Sequence, residues 1–184
     1  MTHTRPQRGF TIIETLVAIT VLMIAIAGPL VVASRGLFGA TVSKNQMIAS
    51  YLAQESMEVI KNIRDTNIQA GVAGGWLSEL GACTVASSCD ASAISAPYIR
   101  TCSGAPCAIY TETNGYGHSS GSATPFTRRF YTHVPGNTNS CSGATVYPGG
   151  VVAEECGVTV EVLWSEGSVA YSVILTSEIT NSLR

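Results

Sequence analysis

Glu14 is an ionisable side chain about one helical turn inside a run that is otherwise free of charge. Thr15 to Ser34 holds no Asp, Glu, Lys or Arg, and Gly9-Phe10-Thr11-Ile12-Ile13 stands directly ahead. An isolated carboxylate in a bilayer core costs about 2.5–3.5 kcal/mol on insertion scales, so this position needs a positive partner. Cleavage of the Gly9–Phe10 bond would create one, a free amine, on the same chain or on a neighbour.

The other residues with chemistry to offer lie later. They are six cysteines (Cys83, Cys89, Cys102, Cys107, Cys141 and Cys156), His118 and His133, and the basic pair Arg128-Arg129. No cysteine spacing is C-x-x-C, which speaks against a zinc ribbon or a thiol redox pair. The connectivity is open, with short loops favouring the neighbour pairs Cys83–Cys89, Cys102–Cys107 and Cys141–Cys156. Their expected role is to staple a loop-rich region, at about 2–4 kcal/mol per bridge. His118 and His133 have no Cys, Asp or Glu at ligand spacing and read as surface and strand residues. The many serines lack a Gly-x-Ser-x-Gly context for a nucleophile. Arg128-Arg129 is too little charge for nucleic acid in a chain of net charge −2. No enzyme activity, cofactor or metal is expected.

The elements that must position Glu14 follow from periodicity. The twenty residues Thr15–Ser34 form a helix of roughly 30 Å, enough to cross a bilayer core. Arg5 and Arg8, in a segment without an acid, favour the cytoplasmic side and send the remainder outward. That agrees with cysteines meant for an oxidising compartment. Gly28-Pro29 predicts a kink or local unwinding, because proline removes one backbone donor and crowds the preceding turn. From Ile48 onward apolar residues recur at helical spacing, namely Ile48, Leu52, Val59, Ile60 and Ile63, with Ala49 and Ala53 beside them. Ser50, Gln54, Glu58 and Lys61 take the other side, Glu58 and Lys61 forming an i,i+3 pair. Thr66-Asn67 and the glycines at 71, 74 and 75 should end a helix running from about Thr11 to Arg64.

Residues 66–126 read as a loop-rich connection with short strands near Pro97–Arg100 and Ala108–Thr111. Stronger strands are expected over Phe126–Val134 and Gly157–Trp164, the latter with Val158, Val160, Val162 and Trp164 on one face. A hairpin turn at Ser165-Glu166-Gly167-Ser168 then leads to Val169, Tyr171, Val173 and Leu175. The predicted fold class is α+β, a long N-terminal helix whose amphipathic second half packs on a C-terminal antiparallel sheet. The boundaries are residues 1–9, 10–34 for the apolar half of the helix, 35–65 for its amphipathic half, and 66–184 for the disulfide-stapled β head.

A short basic leader ending in Gly9, then Phe10-Thr11-x-x-Glu14, then an apolar helix, resembles the class III signal of type IV pilins and type II secretion pseudopilins. The tract ASYLAQESMEVIKNIRDTN is the most pilin-like feature beyond it. The resemblance implies a leader of residues 1–9, removed by a membrane-embedded aspartyl prepilin peptidase that cuts between Gly9 and Phe10 and N-methylates Phe10. It implies that Glu14 sets subunit register during assembly, and that Gly28-Pro29 melts as the subunit leaves the bilayer, the alternative being a proline that a membrane helix simply tolerates. The implied partners are membrane lipid before assembly, other pilin subunits, an inner-membrane assembly platform and an ATPase acting through it. The implied location is the inner membrane with the head outside, then a surface pilus or periplasmic pseudopilus. A minor pilin or pseudopilin is favoured over a main fibre subunit. The competing reading is a secreted or membrane-anchored, disulfide-stapled binding module, with Ala25-Ile26-Ala27 as an A-x-A cleavage site.

Overall fold

The computed structural model describes residues 9–71, 75–95, 98–102, 105–136, 141 and 155–182. Helix α1 spans Ile12–Ala70. Thr11 caps its start, its hydroxyl accepting the Glu14 backbone N–H at 3.3 Å. Thr11-x-x-Glu14 thus has capping-box spacing, with the acid also placed favourably in the first turn. The hydroxyls of the apolar stretch bond within the helix, Thr15 to the Ile12 carbonyl (2.8 Å), Thr20 to Val17 (2.8 Å) and Ser34 to Leu30 (2.9 Å). They therefore ask nothing of an apolar surrounding. The helix runs through Gly28 and Pro29 without interruption.

Its end lies six residues beyond the expected Arg64, at Ala70, where Gly71 turns into the left-handed region (φ 58°) and donates to the Ile68 carbonyl. Thr66 and Asn67 act here as helix residues. Thr66 bonds back to the Asn62 carbonyl at 2.8 Å, and buried Asn67 donates to the Trp76 carbonyl at 3.3 Å. Tertiary contact overrides their turn propensity.

The chain divides into two compact units, Met1–Lys44 and Asn45–Arg184. In the first, the apolar side chains of α1 find no cover, and its most apolar window is 0% buried. In the second, α1 buries Ala49, Leu52, Ala53, Ser56, Met57, Ile60, Ile63 and Asn67, the expected stripe at three- and four-residue spacing.

That stripe packs on an antiparallel sheet of seven strands among the described residues: β1 (Cys89–Ala91), β2 (Ile99–Thr101), β3 (Cys107–Glu112), β4 (Gly115–Gly117), β5 (Ser122–His133), β6 (Glu155–Glu166) and β7 (Val169–Thr180). β5 is central, flanked by β6 on one side and by β1 and β3 on the other. Val158, Val160, Val162 and Trp164 of β6 are buried as their alternation requires, alongside Phe126 and Phe130 of β5. The structure is thus the α+β layout, a long helix on an antiparallel sheet, that the periodicity predicts.

Two expectations are corrected. The hairpin turn shrinks to Gly167-Ser168, with Glu166 and Val169 already paired and Gly167 at φ 59°, a two-residue loop that needs a left-handed first residue. The short strands expected near Pro97–Arg100 and Ala108–Thr111 are β2 and β3, but the loop-rich segment also contains β1 and β4, and β5 begins four residues ahead of Phe126. The three-residue strands β1, β2 and β4 are too short to show a period. The Cys83–Cys89 disulfide ends on β1, Cys102–Cys107 joins the residue after β2 to the start of β3, β4 is held by its pairing with β3, and a third bridge joins Cys141 to Cys156.

Phe130 is fully buried where β1, β5 and β6 meet. Phe130→Ala should therefore lower the unfolding free energy by about 3–5 kcal/mol, read from the shift of a denaturant midpoint with the disulfides intact.

Candidate functional site

Two places concentrate chemistry. The first is the N-terminal segment. Gly9, Phe10 and Thr11 precede the first helical residue and are exposed, Phe10 at 81%. The Gly9–Phe10 bond is therefore outside the helical hydrogen-bond ladder, open to an enzyme that needs extended backbone. Glu14 lies at the third helical position on an exposed surface and forms no ion pair among the described residues. Gly28 and Pro29 lie on the same uncovered stretch.

The second place is a buried ionic cluster inside the head, centred on Arg128. Its Nε donates to Asp90 Oδ1 at 2.6 Å, and its Nη1 donates to the Leu52 carbonyl at 2.9 Å and to Glu55 Oε2 at 3.2 Å. Arg128 and Asp90 are both fully buried. Asp90 Oδ2 meets His118 Nδ1 at 3.0 Å, and the His118 carbonyl accepts from Arg100 at 2.5 Å. Glu55 also accepts the Ala93 N–H at 3.1 Å. One guanidinium thus ties α1, through Leu52 and Glu55, to β5 and β1, and Asp90 carries the connection on to the turn after β4. Burial pushes the Asp90 carboxyl up, but the hydrogen bond with His118 and the Arg128 charge outweigh it and hold the group below its ordinary value.

This cluster overturns one expectation. His118 is a buried partner of Asp90 rather than a surface residue. The strand splits the basic pair Arg128-Arg129 between its two faces. Strand alternation sends Arg128 inward with Phe126 and Phe130, while Arg129 pairs with Glu161 at 2.6 Å on the other face. The signal for Arg128 was present in Phe126-x-Arg128-x-Phe130, which puts a charge on an apolar face. His133, in β5, is half-buried, its Nε2 3.2 Å from the Thr159 hydroxyl.

Ser95 sits beside His118 and Asp90, but its wiring is not that of a nucleophile. Its hydroxyl donates to Glu112 Oε1 at 2.8 Å and accepts the backbone N–H of His118 at 3.1 Å. Glu112 gathers further donors from Ser119 and Ser120, and the Ser95 hydroxyl foremost, then these backbone N–H groups, hold its carboxyl below the usual range. The arrangement fastens turns to strands.

Residues 4–28 match the family model of the prokaryotic N-terminal methylation motif. No curated protein and no solved structure matches the chain. The chain therefore carries the prepilin-type N-terminal methylation signal, followed directly by its apolar helix.

Removing Arg128 would leave Asp90 buried without its cation. Arg128→Met should destabilise the head by about 3–5 kcal/mol, and the double change with Asp90→Asn by clearly less. Because folding lowers the Asp90 pKa, its stabilisation is complete above the unfolded value of about 4 and is lost as pH falls through the lower folded value. Equilibrium unfolding from pH 7 to pH 2 should show that acid loss, and Asp90→Asn should flatten it.

Proposed function

We propose that the chain is a structural subunit, a minor pilin or pseudopilin, that prepilin peptidase cleaves between Gly9 and Phe10 and N-methylates on Phe10, and that then joins a pilus or pseudopilus. The observation that carries this reading is a non-helical, exposed Gly9–Phe10 bond directly ahead of a capped helix whose apolar side chains are uncovered among the described residues. Membrane lipid covers them first, and the same helix of sibling subunits covers them afterwards. The hydrophobic effect holds the subunit in the bilayer, and close packing between helices holds it in the fibre.

Glu14 supplies the register. A carboxylate is tolerated in such a packed layer only beside a positive group, and the amine freed at Phe10 is the nearest that processing provides. Gly28-Pro29 is the joint at which the helix yields on assembly, since Pro29 brings no N–H to the ladder. The head faces outward from the inner membrane. An inner-membrane platform, driven by an ATPase, moves the subunit from lipid into the filament.

Two roles of Glu14, cap and charge, separate by substitution. Glu14→Gln keeps a capping-box residue and loses the charge, whereas Glu14→Ala loses both. Both variants should insert normally, and both should enter sheared filaments at least about tenfold less than the parent, equivalent to about 1.4 kcal/mol. Normal incorporation of Glu14→Gln would remove the charge from the mechanism. In the same assay Pro29→Ala should insert normally but assemble poorly, and full assembly would deny the joint.

A further inference from the structure

We propose that Arg35 and Lys44 hold anionic phospholipid headgroups where α1 leaves the bilayer, and so set the depth of the helix. The proposal rests on the reading that the apolar run crosses a membrane, and adds the chemistry of its boundary.

The described cations beyond Lys44 all have partners within the protein. Lys61 pairs with Glu58, Arg64 with Asp65, Arg128 with Asp90 and Glu55, and Arg129 with Glu161. Arg100 donates to the carbonyls of His118 and Ala108. Arg35 and Lys44 differ. Both are exposed and form no ion pair among the described residues. Their own helix has none to offer, because a helical counter-ion must lie three or four residues away. No Asp or Glu occurs from Thr15 to Gln54. Any anion that meets them comes from outside the described chain.

Depth selects that anion. Thr15–Ser34 fills a hydrocarbon core about 30 Å thick, so Arg35 falls at its edge, level with the lipid phosphates. A guanidinium binds a phosphate through two parallel hydrogen bonds, while its apolar stem lies along the lipid. Lys44 stands about 14 Å further along the axis, near enough to be drawn to an anionic surface. Both side chains lean toward the helix N-terminus, which here is toward the bilayer. Leu37 and Phe38, each more than half exposed, lie between the two cations and gain by leaving water at this level.

Rotation favours lipid over a sibling subunit. Arg35 and Lys44 are nine residues apart, about two and a half turns, so they point to opposite sides of the helix. One flank of a neighbouring helix meets only one of them. Headgroups surround the helix and meet both.

Native mass spectrometry of the full chain, released from detergent micelles doped with phosphatidylglycerol or phosphatidylcholine, tests the proposal. Retained phosphatidylglycerol should exceed phosphatidylcholine by at least about tenfold. Arg35→Gln combined with Lys44→Gln should abolish that excess. Lys61→Gln, which removes a cation already paired in the head, should leave it intact. Equal retention of the two lipids, or an unchanged excess in the double variant, would overturn the headgroup contact. So would an equal loss in Lys61→Gln, since overall charge would then explain the binding. Carbonate extraction of host membranes separates this failure from that of the wider reading. Parent chain in the supernatant denies the membrane span itself and the proposal with it, whereas an embedded chain without lipid preference denies the headgroup contact alone.

Discussion

An apolar helix surface left uncovered among the described residues is the constraint on which everything else depends. Phe10, Ile12, Ile13, Leu16, Ile24, Val32 and Leu37 are all more than half exposed. Each such side chain gains about 1.5–3 kcal/mol on leaving water. The chain must therefore find lipid or another helix. The hydroxyls of Thr15, Thr20 and Ser34 bond within the helix, so they add no polar demand in either surrounding. The one group compatible with neither on its own is the Glu14 carboxylate. Its position at the third residue of the helix ties the need for a counter-charge to the end of the chain that the methylation motif marks.

The same helix meets a different demand from Asn45 onward, where one stripe must seal a β-sheet. Apolar burial by Leu52, Met57, Ile60 and Ile63 is non-directional and would tolerate sliding of the helix on the sheet. The Arg128 cluster is directional. Its guanidinium bonds a helix carbonyl, a helix carboxylate and Asp90 at once, which fixes how α1 lies on β5 and β1. Such a cluster adds little net stability, because burying the charges offsets their attraction, but breaking it is costly. Specificity of helix placement is its contribution.

Legibility followed the length and regularity of the elements. The helix and the strands β5 to β7 could be read because their apolar positions repeat over many residues, as in Val158-x-Val160-x-Val162-x-Trp164. The helix end was misplaced because Asn67 finds a partner, the Trp76 carbonyl, that no local pattern announces. β1, β2 and β4 have three residues each, too few for a period, and the disulfides beside β1 and β2 have a pairing that the spacing suggested without fixing. At the N-terminus the methylation motif was legible because its basic segment, acid and apolar run are contiguous. The capping role of Thr11 was equally legible in Thr11-x-x-Glu14 and went unread beside the larger question of the carboxylate. In the head, Asp90, His118 and Arg128 lie 28 and 38 residues apart in pairs, so only the inward position of Arg128 between Phe126 and Phe130 hinted at them.

The central claim is that the segment ahead of the uncovered helix is removed to expose an amine beside Glu14. Mass spectrometry of the mature N-terminus, on protein from its native host, tests it most directly. The account predicts a chain that begins at Phe10 and carries one methyl group on its amine. A chain beginning at Gly28, or one retaining Met1 through Gly9, would contradict it.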